Sequence, residues 1–163
     1  MVNNNVKFLK FLKILKLMSL KSLISLISLM ITANSQVLLS QTMNITINNI
    51  RSTKGKLSVS IFSNAEEFKT EKPSHTQFFD KTTVKNKTCT VSIEYKPGIY
   101  GVAVCDDENN NGVMDYNIIG MPKEGFGLSN YQIKGLSRPV FSDFSFQLKE
   151  NEKKAITVDM KYL

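Results

Sequence analysis

The sequence concentrates oxygen-bearing side chains at alternate positions in one segment, Asp106–Asp115. Counted from its second residue, positions 1, 3, 5, 6 and 9 match an EF-hand-like calcium loop: Asp107, Asn109, Asn111, Gly112 and Asp115. Alternate side-chain oxygens can converge on one cation because the chain curls around it, and glycine permits the sharp turn. The backbone carbonyl of Val113 would be the ligand at position 7. The segment therefore predicts a calcium site.

This calcium loop is incomplete by itself. Position 12, a bidentate Glu in an EF-hand, is Ile118 here, and the loop follows an apolar strand instead of a helix. An ion would need a further ligand, for which Glu124 and Asp106 are the nearest candidates. A site with few charges is expected to be weak, with a dissociation constant of about 10⁻⁴ to 10⁻³ M. The alternative is an ion-free turn, because Asn111-Gly112 favours a hairpin and Asx side chains bond their own backbone.

The same acidic residues also offer a route to catalysis. Glycoside hydrolysis uses two carboxylates about 5 to 9.5 Å apart across a cleft. The candidates are Asp106, Asp107, Glu108, Asp115 and Glu124. Carboxylates bunched on one turn suit a cation better than a separated acid and base, so the sequence favours a non-catalytic protein over a glycoside hydrolase-like enzyme. The single histidine, His75, lies in a polar segment and is expected to be solvated.

A second segment, Gly120–Asn130, is rich in glycine and follows the acidic loop. One interpretation is an ordered loop that folds back over the end of a β-sandwich. The other is a recognition surface for a glycan, a peptide or a partner in the cell envelope, because loops at one end of a sandwich often bind ligands. The side chains available for that role are Lys123, Glu124, Phe126, Ser129 and Asn130.

Three stretches of the chain form a longer pattern: Gly98–Val104, then Asp107–Asp115, then Gly120–Asn130. With the preceding Gly55–Phe62 segment, and over about residues 42–162, they resemble an exported bacterial family catalogued as domain of unknown function 2141. The resemblance implies an exported β-sandwich of the kind seen in transthyretin-like and carboxypeptidase-regulatory modules. It implies no known activity. The family often carries a large residue and a His where this chain has Cys105 and Asp106.

Strands are expected to position these loops, because apolar residues recur with a period of two. The alternating segments are Met43–Ile47, Leu57–Ile61, Cys89–Tyr95, Phe144–Leu148 and Ile156–Tyr162. The continuous apolar run Ile99–Cys105 predicts a central strand buried on both faces. We therefore predict an all-β fold, a single immunoglobulin- or prealbumin-like sandwich of about seven strands over residues 36–163.

The connections between these strands carry further expectations. The first two strands are expected to pair as a hairpin through the turn that ends at Gly55. Asn64 is placed to cap a short helical turn. Residues 69–82, which are polar and contain Pro73, predict a loop, and so does the stretch from the acidic segment to about residue 140.

Cys89 and Cys105 are the only cysteines in the chain. If the Lys96-Pro97-Gly98 turn closes a hairpin, the two cysteines face each other, and a cross-strand disulfide is possible in an exported protein. The alternatives are two buried thiols, since Cys behaves as a small hydrophobe, or two strands that enter different sheets. A Cα–Cα distance above about 7 Å would eliminate the bridge.

The N-terminus predicts export. Residues 7–21 combine lysines with large apolar residues, residues 22–32 carry no charge, and Ala33-Asn34-Ser35 resembles a cleavage site, as in a secretory signal peptide over residues 1–35. The expected location is the periplasm or the medium. An uncleaved anchor is the alternative, because the charge-free run extends towards the about 20 residues that span a membrane.

The distribution of charge argues against nucleic-acid binding. The chain has 21 Lys+Arg and 14 Asp+Glu, a net charge of +7. Five lysines and no acids lie in residues 1–35, so the remainder has 16 basic and 14 acidic residues, a net charge of +2. A nearly neutral chain without a basic stripe does not suit a phosphate backbone.

Overall fold

A computed structural model describes residues 7–10, 13, 41–135 and 138–163. Its strands are β1 (Gln41–Asn48), β2 (Lys56–Phe62), β3 (His75–Asp80), β4 (Cys89–Tyr95), β5 (Gly98–Asp107), β6 (Gly125–Leu128), β7 (Ser145–Leu148) and β8 (Lys153–Asp159). Two short helices, α1 (Ala65–Lys69) and α2 (Phe141–Phe144), and a 3₁₀ turn at Lys81–Thr83 lie between strands. The described residues from 41 to 163 form one compact unit.

The strands form two sheets that enclose one core. The three-stranded sheet has the order β4-β1-β8, and the five-stranded sheet has the order β3-β2-β5-β6 with β7 also paired to β5. Only the β1–β8 pairing is parallel among the named strands. Alternate residues of facing strands fill the space between the sheets, because successive side chains of a strand point to opposite faces. The predicted all-β sandwich is therefore confirmed, with eight strands.

The predicted hairpin of the first two strands is wrong. β1 pairs with β4 and β8, whereas β2 pairs with β3 and β5 in the other sheet. Met43 and Ile45 of β1 and Val59 of β2 are all fully buried in the shared core. Period-two alternation shows which face of a strand is buried, but it does not distinguish strands that lie side by side from strands that face each other across a core.

Two strands lie where loops were predicted. β3 is a polar edge strand, mostly exposed, so its sequence lacks the apolar alternation that marks β1. β6 contains glycines because it packs closely against residues near the C-terminus. A Cβ on Gly127 would lie 2.6 Å from Val158 Cγ1, and a Cβ on Gly125 would collide with the ring of Tyr162. The glycines that indicated a loop are required by this packing.

The possible disulfide does not form. Cys89 begins β4 in the three-stranded sheet, while Cys105 lies in β5 of the five-stranded sheet, and both thiols are free. The turn at Pro97 joins strands of different sheets instead of closing a hairpin. The alternative of separated thiols is the one that the structure shows.

The predicted cap of α1 is confirmed. Asn64 Oδ1 accepts a hydrogen bond from the Glu67 N–H at 2.9 Å, and Glu67 Oε2 accepts one from the Ser63 N–H at 2.7 Å. These bonds satisfy backbone donors that a helix start leaves unpaired. The cap fixes Phe68, whose ring packs edge-on against Phe144 with 4.7 Å between centroids.

The predicted signal peptide, residues 1–35, lies outside the described residues except for residues 7–10 and 13, which are helical. In the part of the chain that the structure describes, no helix is long and apolar enough to cross a membrane.

Candidate functional site

The two neighbouring aspartates at the end of β5, Asp106 and Asp107, point to opposite faces of the sheet. Val102, Val104 and Asp106 share the face that packs on the core, because side chains alternate along a strand. Cys105 and Asp107 therefore share the outer face, towards the acidic loop. Asp106 is fully buried and Asp107 is 2% exposed. The two carboxylates consequently belong to different environments.

Asp106 is committed to a buried ion pair. Its Oδ1 pairs with Lys81 Nζ, both side chains being inaccessible to solvent, and its Oδ2 accepts a hydrogen bond from Tyr162 OH at 2.6 Å. The same Lys81 ammonium donates to the carbonyl of Lys54 at 2.6 Å. Asp106 is thus wrong as a candidate for the missing calcium ligand, since its oxygens face the core and already contact a cation.

A second ion pair covers this network. Arg51 Nη2 lies 2.5 Å from Glu108 Oε2, and Ser52 Oγ donates to Glu108 Oε1 at 2.8 Å. The hydrogen bond from Arg51 lowers the pKa of Glu108. Burial, followed by the hydrogen bond to Asp106, raises the pKa of Tyr162. Glu108 is therefore held as a structural carboxylate, away from the loop oxygens.

The Asp107–Asp115 loop is ordered by successive Asx turns. Asp107 accepts from the backbone N–H of Asn111 at 3.1 Å and of Gly112 at 2.9 Å, one with each oxygen. Asn109 Oδ1 accepts from the Asn111 N–H at 3.0 Å, and Asn111 Oδ1 accepts from the Val113 N–H at 2.9 Å. Gly112 has a φ of 79°, which its lack of a side chain permits. The turns hold four oxygens of three side chains along the inside of the loop.

Asp115 closes this loop. Its Oδ2 accepts hydrogen bonds from Asn109 Nδ2 at 2.6 Å and from Asn111 Nδ2 at 3.0 Å. The structure thus brings together the four predicted ligand side chains, while Val113 takes part through its backbone N–H. Among the described residues, no three His, Cys, Asp or Glu side chains form a ready metal cluster. The amide groups of the two asparagines occupy the space beside the carboxylate.

Glu124 approaches the loop from the next segment. It is 5% exposed, its Oε2 accepts from the Asp115 N–H at 3.4 Å and from Cys105 Sγ at 3.6 Å, and its Oε1 has no hydrogen-bond partner. Burial, together with the charges of Asp107 and Asp115, raises the pKa of Glu124. The Lys123 N–H also bonds the Asp115 carbonyl at 2.8 Å. A buried carboxylate with one unpartnered oxygen therefore lies against the predicted calcium loop.

The other residues of the predicted recognition segment divide between the interior and the surface. Ser129 is fully buried, donates to the Phe144 carbonyl at 2.6 Å and accepts from the Val102 N–H at 3.0 Å. Ser129 is thus an internal link and not part of an exposed surface. Lys123 and Asn130 are exposed, although Asn130 Oδ1 also accepts from the Thr157 N–H at 3.0 Å.

A cavity of about 500 Å³ lies beside the loop and was not predicted. Phe126, a residue of the predicted recognition segment, contributes to its lining. The sequence signal for the cavity is weak: small side chains at Ser60, Ala103 and Cys105 share one face of β2 and β5. Their size becomes informative only when the strand pairing is known.

These features define the class as a β-sandwich whose five-stranded sheet leads into an Asx-rich loop in contact with a buried glutamate. The chain belongs to the family described as "Uncharacterized protein conserved in bacteria (DUF2141)", whose model matches residues 45–157. The family resemblance is thereby confirmed. No curated protein and no solved structure matches the chain significantly.

Proposed function

We propose that the protein is an exported, non-catalytic binding or accessory module in which Ca²⁺ orders the Asp107–Asp115 loop. The observation that carries the proposal is the unpartnered, buried Oε1 of Glu124 beside that loop. Glu124 would supply the ligand that Ile118 cannot supply at position 12. The sandwich would serve as a scaffold, as in transthyretin-like or carboxypeptidase-regulatory modules.

The electrostatics of the loop favour a cation. Asp107 and Glu124 are both almost fully buried, and Asp115 is close enough to raise the pKa of Glu124. Burying carboxylates near one another is costly unless a proton or a cation compensates them. Two cations at this end of the sandwich, Lys81 and Arg51, are already paired with other carboxylates. A bound cation would relieve the repulsion.

The oxygen inventory suits calcium. Ca²⁺ takes six to eight oxygen ligands at about 2.3–2.6 Å in flexible geometry. The loop offers side-chain oxygens from the predicted ligands and from Glu124, and a carboxylate or amide oxygen that accepts one N–H keeps a second lone pair. The carbonyl of Val113 would complete the set. Mg²⁺ fits less well because it demands a rigid octahedron.

Calcium binding would require a local rearrangement. The amide groups of Asn109 and Asn111 now donate to Asp115, and an ion would replace those two hydrogen bonds. This exchange reduces the net free energy gained when calcium binds. A dissociation constant of about 10⁻⁴ to 10⁻³ M, as in extracellular modules, is therefore expected. The ordered loop would then present the exposed Lys123, whose N–H bonds the Asp115 carbonyl, to a glycan, a peptide or an envelope partner.

The arrangement of acids supports a binding role over the glycoside hydrolase-like alternative. Glu124 bonds the backbone N–H of Asp115 directly, so Glu124 lies against the loop that carries Asp115. Glycosidase carboxylates flank a substrate from opposite sides. Of the other three candidate acids, Asp106 and Glu108 are held in ion pairs, and Asp107 accepts two backbone N–H groups of its own loop.

Calorimetric titration of the purified protein with CaCl₂ tests this function. We expect saturable binding that weakens at least tenfold in Glu124→Gln, which keeps the shape of the side chain and removes its charge. Glu108→Gln is the matched control, because Glu108 pairs with Arg51. Absence of a calcium heat in the wild-type protein, with an unchanged melting temperature, would contradict the proposal.

A further inference from the structure

We propose that the cavity on the outer face of the five-stranded sheet binds a small, uncharged, apolar molecule of hydrocarbon or aromatic character. The site lies on the described surface between β2, β5 and three flanking segments. It goes beyond the calcium loop, because its lining is apolar and its occupant would not need the ion.

The dimensions of the cavity suit a small ligand. Its volume is about 500 Å³, within the range of about 300–1,000 Å³ typical of ligand sites. The floor is made by the short side chains of Ser60, Ala103 and Cys105. The other face of the same strands carries large core residues such as Val104. The outer face thus leaves open a volume that larger side chains would fill.

Three groups of side chains form the walls. Phe62 and Phe68 stand on one side, with 5.4 Å between their ring centroids. The acidic loop and the segment after it contribute a second wall, which consists of Met114 from the loop and Tyr116, Met121 and Pro122 from the segment. The third wall contains Ile133 and Pro139. Flexible methionines and aromatic rings together adapt to apolar ligands of varied shape.

The charges of the lining favour a neutral occupant. The charged side chains among the described lining residues are Glu71 and Arg138, and they pair with each other at 3.1 Å. Arg138 also donates to the Phe68 carbonyl at 3.1 Å and lies over the Phe68 ring, 5.3 Å from its centroid. No unpaired charged side chain among these described lining residues is therefore available to attract an ionised ligand.

The backbone of the floor argues against an extended peptide. Peptides that add to sheets do so through unpaired backbone groups of an edge strand. Here β5 pairs on one side with β2 and on the other with β6, so that Val104 lies between Val59 and Gly127. The floor is the middle of a sheet, and a peptide would find no ladder to extend. A small apolar molecule needs only the removal of its surface from water.

Fluorescence titration with N-phenyl-1-naphthylamine, a neutral apolar probe, tests the site in the presence of a calcium chelator. We expect saturable enhancement for the wild-type protein and at least a tenfold loss of affinity in Ala103→Phe, which places a ring on the floor. Ser92→Phe is the matched control, since Ser92 is exposed on the outer face of the three-stranded sheet. The sulfonated analogue 8-anilinonaphthalene-1-sulfonate should bind the wild-type protein more weakly than the neutral probe.

Methionine-methyl NMR of the wild-type protein locates the probe even if Ala103→Phe fails to fold. Signals of Met114 and Met121 should shift on saturation, whereas those of the buried core residues Met43 and Met160 should not. Absence of binding, equal affinity of Ala103→Phe, tighter binding of the sulfonated probe, or shifts confined to the core methyls would each overturn the proposal. Because the chelator is present throughout, these outcomes are independent of calcium binding.

Discussion

Glu124 Oε2 accepts a hydrogen bond from the Asp115 N–H at 3.4 Å, and the second oxygen of the same buried carboxylate has no hydrogen-bond partner. This contact joins the acidic loop to the segment that begins β6. It also gives the loop an acid from outside its own turn. The proposed calcium site depends on this relationship between two residues nine positions apart in the sequence.

The buried ion pair between Lys81 and Asp106 should control stability. Lys81→Met or Asp106→Asn alone is expected to lower the free energy of unfolding by about 3–5 kcal/mol, because each leaves an uncompensated buried group. The double variant should cost less than the sum of the two. Urea denaturation measures all three. Lys56→Met is the control, since Lys56 and Asp80 form an exposed pair at 4.0 Å and should contribute less than about 1 kcal/mol. If the double variant lost as much free energy of unfolding as the two single variants together, the result would contradict this role.

The cap of α1 should give a pH-dependent contribution to stability. Hydrogen bonds from the Ser63 N–H, and then from Ser74, lower the pKa of Glu67 in the folded protein. A carboxylate with a depressed folded pKa stabilises the protein above its unfolded pKa of about 4.3, and this contribution is lost as the pH falls through the folded value. Glu67→Gln should therefore destabilise the protein by about 1 kcal/mol at pH 7 and by less at pH 3.

Urea denaturation at the two pH values gives this comparison. Glu66→Gln is the control, because Glu66 is exposed in the same helix and should change the free energy of unfolding by less than about 0.5 kcal/mol. An effect of Glu67→Gln that is equal at both pH values would show that its charge does not act through the cap.

The two cysteines should remain reduced thiols in the isolated protein. Unfolding under non-reducing conditions with iodoacetamide should add two alkyl groups per chain by mass, because Cys89 and Cys105 lie in different sheets. Without denaturant, the buried Cys89 should react more slowly than in the unfolded chain. A chain that takes up no alkyl group before reduction would show a disulfide and contradict the strand pairing described above.

Local sequence patterns predicted individual elements well. The alternation at Met43–Ile47 predicted β1, and Asn64 predicted the start of α1, because both depend on neighbouring residues. Pairing was not predictable in this way. β1 bonds strands more than 40 residues away in the chain, since Ile45 lies beside Val91 and Ile156. The hairpin prediction was wrong because the period of two carries no information about partners.

In the candidate site, too, the contacts between neighbouring residues were predictable and the contacts between distant segments were not. The spacing of Asp107 and Asp115 predicted the loop that the structure contains, because an Asx turn is local. The partner of Asp106 is Lys81, which lies on a different segment and could not be found by spacing. The sequence did indicate that Asp106 needs a partner. Asp106 lies two positions after Val104 and therefore on the same face of the strand, and an acid on the core face requires a partner. The cavity depends on three separate segments and therefore required the structure.

The most direct test of the account is a crystal structure of the protein grown with CaCl₂. We predict an ion at about 2.3–2.6 Å from carboxylate oxygens of Asp107, Asp115 and Glu124, with the amide groups of Asn109 and Asn111 turned away from Asp115. A loop that contains no ion at saturating calcium, with both amides still donating to Asp115 and Glu124 Oε1 still unpartnered, would contradict it.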